Sequence, residues 1–164
     1  MKVILIAALT VDGYIARSHD EQINWTSKED KKSFAELTKQ AGVVVMGSST
    51  YRTIGKPLPG RRNIIYSRQK TQEEGIEFTD ELPEVLIDRL TQEGHESVAI
   101  CGGRSVYTLF LEAAVVDELY ITVEPIIFGH GITLADGFLN LSLQLIEHKL
   151  INENSVLMHY EVKK

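Results

Sequence analysis

Asp30 is the first residue in this chain whose chemistry and position disagree. It lies in Thr26-Ser27-Lys28-Glu29-Asp30, at the start of a helix predicted over Lys28–Ala41. Ser27 and Asp30 have capping-box spacing, and an acid in a first turn suits the helix dipole. On that reading Lys28 to Lys32 is a solvated, charged helix end. The hydrophobic period points elsewhere. Phe34, Leu37 and Ala41 form an apolar stripe, and Asp30, four residues before Phe34, falls on it; Lys28, Lys32, Glu36 and Lys39 do not. A carboxylate on a core-facing stripe is costly unless something pairs with it. A cationic or amidine-like ligand would supply that pairing, so spacing leaves both a cap and a site open.

Two glycine turns form the second candidate. Gly102-Gly103 follows a predicted strand, Ser97–Cys101, and opens a helix near Ser105. Glycine allows a backbone to approach a ligand closely, and the free N–H groups of a helix start favour phosphate. Gly47-Ser48-Ser49-Thr50 repeats the pattern after a buried strand. Each can also be a plain tight turn, with Ser49 or Thr50 as an N-cap. Together they would suit a pyrophosphate held between two helix starts. Neither G-x-G-x-x-G nor the P-loop pattern is present. No His, Cys or carboxylate pair has metal-ligand spacing, and the five histidines are scattered, so no metal site is expected.

The elements that must position these residues alternate. Val3–Leu9, Val43–Met46, Asn63–Tyr66, Ile76–Phe78, Ser97–Cys101 and Glu118–Val123 read as strands. Lys28–Ala41, Thr50–Ile54, Pro83–Glu93 and Ser105–Ala114 read as helices, with Pro83 suited to a first turn. Leu143–Ile151 and Ser155–Val162, split by Asn152-Glu153-Asn154, read as an antiparallel hairpin. This order implies an α/β fold: a mostly parallel central sheet of about eight strands, helices on both faces, and a C-terminal antiparallel hairpin. Ligands bind such sheets beyond the carboxyl ends of the strands. The loops to inspect are Thr10–Asn24, Gly47–Thr50, Ser67–Thr71 and Gly102-Gly103.

At 164 residues the chain reads as a single domain spanning residues 1–164. A net charge of −6 argues against a nucleic-acid surface. The lone Cys101 cannot form an internal disulfide, which favours a reducing, cytoplasmic setting. Val3–Leu9 is too short to span a membrane, so no membrane partner is expected.

In order and spacing, these residues resemble the dihydrofolate reductase family over almost the whole chain. Leu5-Ile6-Ala7-Ala8-Leu9 with Val11-Asp12 resembles the family's first strand and the start of its mobile loop. Trp25, Asp30 and Phe34 have the spacing around its substrate carboxylate. Ile54-Gly55-Lys56-Pro57-Leu58-Pro59-Gly60-Arg61 is similar to its most specific segment. Gly102-Gly103-Arg104-Ser105-Val106-Tyr107 resembles its glycine pair and following tyrosine, and Leu119-Tyr120-Ile121-Thr122 its threonine-bearing strand.

The resemblance implies a dihydrofolate reductase-like fold and hydride transfer from NADPH to C6 of dihydrofolate, with protonation at N5. Asp30 would bind the pterin's 2-amino group and N3, with Thr122 as its partner and Trp25 beside the substrate through an ordered water. Ile6, Ala8, Phe34 and Ile54 would wall the rings, and Arg61 would pair with the glutamyl α-carboxylate. Ala8, Ile15, Thr50, Gly102, Gly103 and Tyr107 would line the cofactor channel, completed by Gly47, Ser48, Ser49, Ser67, Arg68, Cys101, Arg104, Ser105 and Val106. The family often has a cis bond in the glycine pair. The loop Thr10–Asn24 would close over the site. The implied partners are dihydrofolate and NADPH, in a monomer or homodimer.

Three departures accompany the resemblance. Ser48 stands where the family often has an arginine for the cofactor's 2′-phosphate; Arg68 is the first substitute and Arg52 the second. Lys31 occupies a usually apolar position. Val123-Glu124-Pro125-Ile126-Ile127-Phe128-Gly129-His130-Gly131-Ile132 resembles instead the riboflavin-biosynthesis reductase domain, which has the same fold and reduces the ribosyl group of a pyrimidine ribosylamino phosphate with NADPH. That relative generally lacks the Trp25, Asp30 and Phe34 set and the Pro57 to Arg61 segment. Another pterin, or that pyrimidine, is therefore the alternative substrate.

Overall fold

The structure, a computed structural model, describes residues 1–19, 21–69 and 71–164; Asp20 and Lys70, within two of the loops singled out above, lie outside the described residues. In chain order the elements are β1 (Lys2–Thr10), β2 (Tyr14–Ala16), α1 (Lys28–Ala41), β3 (Val43–Gly47), α2 (Ser48–Ile54), β4 (Arg62–Tyr66), β5 (Ile76–Thr79), α3 (Pro83–Gln92), β6 (Ser97–Ile100), α4 (Arg104–Glu112), β7 (Glu118–Glu124), β8 (Ile132–Thr133), β9 (Ser142–Leu150) and β10 (Val156–Lys163).

Eight strands form one sheet in the order β5-β4-β3-β6-β1-β7-β10-β9. Pairings from β5 across to β7 are parallel, β10 runs antiparallel to β7, and β9 antiparallel to β10. This is the expected mostly parallel α/β sheet with a terminal hairpin.

The strand sequences follow from burial on both faces. Val43, Val44, Val45 and Met46 are fully buried, an unbroken apolar run that only a doubly covered sheet can use. Alternate residues of β1 go to opposite layers. Val3, Leu5 and Ala7 pack with Leu86 and Leu90 of α3 and Phe110 of α4. Ile4 and Ile6 face the other layer, where Phe34 and Leu37 of α1 and Tyr51 and Ile54 of α2 close the core. Burying each of these large side chains contributes about 1.5–3 kcal/mol. The stripe read from sequence is therefore the inward face of α1.

Both ends of α1 are capped. The Ser27 hydroxyl accepts the Asp30 N–H at 3.1 Å, and Gly42 closes the helix with φ 74°. Two features differ from the sequence expectation. Helix α2 starts at Ser48 with Gly47 as its N-cap, so neither Ser49 nor Thr50 caps it. The segments β2, inside the loop Thr10–Asn24, and β8, given no element by the sequence, pair antiparallel as a small second sheet. At three and two residues they are too short to show a period.

Candidate active site

A cavity of about 530 Å³ crosses the carboxyl ends of five parallel strands. Ala8 near the end of β1, Gly47 of β3, Tyr66 of β4, Thr79 of β5 and Cys101 after β6 contribute to its wall. Every residue assigned above to the cofactor lines it: Ala8, Ile15, Gly47, Ser48, Ser49, Thr50, Ser67, Arg68, Cys101, Gly102, Gly103, Arg104, Ser105, Val106 and Tyr107.

The two glycine turns meet here. The Gly47 N–H donates to the Gly102 carbonyl at 2.7 Å. The Gly102–Gly103 peptide is cis, and Gly102 has φ 117°. A Cβ on Gly102 would stand 3.2 Å from the Tyr107 hydroxyl oxygen, and one on Gly103 would stand 3.2 Å from Thr50 Oγ1. A Cβ at either position would press on this close approach of the starts of α2 and α4, and the φ of Gly102 strains any other residue. Both helices begin without a side-chain cap, leaving their first N–H groups for an acceptor in the cavity. That donor set fits the diphosphate of a dinucleotide. Burial pushes the Cys101 thiol up to about 12 and Tyr107 well above its ordinary value, so both are neutral wall groups. Tyr107 donates its hydroxyl to the Ile6 carbonyl at 2.6 Å. At the rim Arg68 is exposed, whereas the Arg52 guanidinium is turned onto Ser49 Oγ at 3.1 Å.

The residues assigned to substrate lie beside this cavity rather than around it. Ala8 and Trp25 line it; Ile6, Asp30, Phe34, Ile54, Arg61 and Thr122 do not. Ile6, Phe34 and Ile54 share the apolar cluster under α1 and α2. Thr122 of β7 is in register with Ala8 of β1. Asp30 is half-buried, with the hydroxyls of Thr122 and Thr26 beside its carboxyl. Burial pushes that carboxyl above the usual carboxylate range and the nearby Glu124 adds to the rise, against the two hydroxyls and Lys31. The Trp25 indole Nε1 is buried and donates to no protein acceptor among the described residues.

Arg61 stands apart from Asp30. Its Nε donates to the Pro59 carbonyl at 3.0 Å and a terminal nitrogen to Thr38 Oγ1 at 2.8 Å. Thr38 follows Asp30 by eight residues, about 12 Å along a helix axis. Asp30 thus lies in the first turn of α1 and Arg61 is bonded to its later part, with Phe34 between Asp30 and Thr38 on the helix.

Sequence reasoning missed the contacts that tether the segment after β1. The Asp12 carboxylate accepts the N–H groups of Gly129 at 2.7 Å and Phe128 at 3.1 Å, and the Thr10 hydroxyl at 2.7 Å. Desolvation acts to raise Asp12, but these donors outweigh it and hold the carboxyl below its usual value. The Phe128 ring meets the edge of Trp25 at 5.2 Å and lies 4.0 Å under the Arg17 guanidinium. The segment resembling the riboflavin-pathway relative therefore holds the turn after β1 and Trp25, a wall residue of the cavity.

Residues 2–133 match the family model described as dihydrofolate reductase, and the chain belongs to that family. It is 38% identical over 123 residues to dihydrofolate reductase type 3 of Salmonella typhimurium, covering 74% of this chain and 71% of that protein. It is 32% identical to the dihydrofolate reductase of Haemophilus influenzae (strain ATCC 51907 / DSM 11121 / KW20 / Rd), covering 72% and 69%. The uncharacterised Bacillus subtilis (strain 168) protein YwjB is 28% identical and covers 97% of both. Among solved structures, a putative riboflavin biosynthesis protein from Shewanella sp. PV-4 superposes with a TM-score of 0.85 at 23% identity, covering both chains fully. A Thermotoga maritima diaminohydroxyphosphoribosylaminopyrimidine deaminase/5-amino-6-(5-phosphoribosylamino)uracil reductase superposes with a TM-score of 0.79 at 18% identity, over 99% of this chain and 56% of that one. These two likenesses are of fold. Among the described residues no helix is long and apolar enough to cross a membrane, and no acid, His or Cys cluster is suited to a metal.

Proposed function

We propose that this protein reduces dihydrofolate to tetrahydrofolate with NADPH. The observation that carries the reading is the set of groups beside α1: an acid in its first turn, an apolar wall, and a guanidinium bonded to Thr38, eight residues further along the helix. An elongated ligand with an amidine-like end, an aromatic middle and a carboxylate tail matches that set.

Asp30 receives the amidine edge of the pterin, and the Thr122 hydroxyl orients it. Its raised proton affinity keeps a proton near the ring at higher pH than an ordinary carboxylate would. It anchors and polarises the ring without delivering the proton directly. The Trp25 N–H supplies a further donor beside the ring, through water. Ile6, Ala8, Phe34 and Ile54 keep the ring in apolar surroundings, and Arg61 takes the tail carboxylate. The starts of α2 and α4 would hold the diphosphate, and Arg68 would take the 2′-phosphate. NADPH held there would supply a hydride for C6, and N5 would take up the proton.

A second reading, reduction of a riboflavin-pathway pyrimidine, draws on one observation. The two dihydrofolate reductase relatives align with about three quarters of the chain, whereas the Shewanella structure matches it end to end. Cofactor oxidation measured with dihydrofolate and with the pyrimidine ribosylamino phosphate tests the choice. Dihydrofolate is expected to be turned over; oxidation with the pyrimidine alone would overturn the proposal.

A further inference from the structure

Glu124 is the one acid among the described residues that is almost completely buried, at 2% exposure, and nothing in the mechanism above uses it. Its Oε1 accepts both the N–H and the hydroxyl of Ser27, each at 2.7 Å, and its Oε2 accepts the Ser155 hydroxyl at 2.5 Å. All three contacts are donors, the set an ionised carboxylate needs. No lysine or arginine among the described residues pairs with it. The same Ser27 oxygen accepts the Asp30 N–H at 3.1 Å. Thr122, two residues before Glu124 and therefore on the same face of β7, stands at the Asp30 carboxyl.

These contacts change the meaning of the Ser27–Asp30 spacing. In a capping box the acid three residues into the helix reaches back to the N–H of the capping residue. Here that N–H is already taken by Glu124. The Asp30 carboxyl is free to stay on the inward stripe. We infer that Glu124 is a positioning residue: it replaces Asp30 as acceptor in the capping box, and so leaves Asp30 on that stripe beside a second negative charge. This rests on the reading of Asp30 as the substrate anchor. The groups bearing on the Asp30 carboxyl are Glu124 and Thr122 from β7, Thr26 before the helix, Lys31 on α1, and Tyr107 of α4, which senses the Asp30 charge.

The test uses the full chain with ¹³C-labelled carboxyls, the Asp30 signal being assigned by its loss in Asp30→Asn. In Glu124→Gln, with folding checked by thermal melt, the Asp30 titration is expected to move down, because a neighbouring negative charge is gone. The pH profile of kcat/KM should move the same way. An unmoved Asp30 titration in folded Glu124→Gln overturns the inference; where that variant does not fold, Glu124→Asp, which keeps the charge but shortens the reach to Ser27, should free the Ser27 N–H for Asp30 and lower its titration, and no movement there overturns it too. Ser27→Ala keeps the Glu124 charge and its bond to the residue-27 N–H but removes the hydroxyl that joins Glu124 to the Asp30 N–H, so amide exchange at Asp30 should quicken severalfold; unchanged exchange overturns that part of the link. Should dihydrofolate not be reduced at all, the functional reading falls while these titrations still decide the role of Glu124.

Discussion

Replacing Asp30 by Asn separates the site from the cap. Ser27 supplies the cap through its own hydroxyl, and Glu124 takes the Ser27 N–H, so the Asp30 carboxyl contributes no bond to the helix start. Asn keeps the size and an acceptor for the Thr122 hydroxyl. It removes a charge that burial and Glu124 both oppose. The sign follows from linkage. A carboxyl whose folded pKa lies above its unfolded value, about 3.9, favours the fold at low pH and loses that contribution as pH rises through the folded value. Each unit of upward shift is worth about 1.4 kcal/mol. Asp30→Asn should therefore be more stable than the wild type at pH 7, each kcal/mol gained reading as about 2–4 °C in Tm for a chain of this size. The gain should shrink toward zero near pH 4. Dihydrofolate reduction should fall by roughly 10²–10⁴, the usual contribution of acid–base assistance to a proton-coupled step. Melting curves from pH 4 to 8 and steady-state rates on one preparation measure both. A variant that is less stable and equally active would refute the reasoning and leave Asp30 a structural residue.

Arg68→Ala should weaken NADPH by about 1.5–3 kcal/mol and leave NADH nearly unchanged, read by cofactor titration; equal losses would remove the phosphate role. Arg61→Lys keeps charge but gives up the planar fork held by Thr38 and the Pro59 carbonyl. It should raise KM for dihydrofolate severalfold and spare a pterin without the glutamyl tail, and an unchanged KM for dihydrofolate would favour the pyrimidine reading. Gly102→Ala places a Cβ 3.2 Å from the Tyr107 hydroxyl oxygen at φ 117°. A loss of about 1–3 kcal/mol in denaturant unfolding is expected, together with weaker dinucleotide binding; wild-type stability would mean the two helix starts tolerate separation.

Much of this architecture was legible because its signals are periodic. Doubly buried strands such as Val43 to Met46 read as continuous apolar runs, and the stripe Phe34, Leu37, Ala41 located the inward face of α1 before any contact was known. What escaped was set by contacts distant in sequence. β2 and β8 are held by a partner more than 110 residues away, and nothing local distinguishes them from loop. Glu124 escaped by one residue: with the strand ended at Val123 it fell outside the element. Extended to its true end, β7 alternates Leu119, Ile121 and Val123 on one face with Tyr120, Thr122 and Glu124 on the other. An acid on that second face poses the same question as Asp30 on its helical stripe.

The two anomalies have one explanation. Two acids near one another cost more than either alone unless donors are supplied. Ser27 and Ser155 serve Glu124, whereas Asp30 keeps the hydroxyls of Thr122 and Thr26 and a raised proton affinity. The donors are thus unevenly divided between the pair. The well-supplied acid is buried and structural. The under-supplied one lies on the stripe where a cationic ligand would complete its pairing. That division assigns the roles, with Glu124 holding the start of α1 and Asp30 held ready for the ligand.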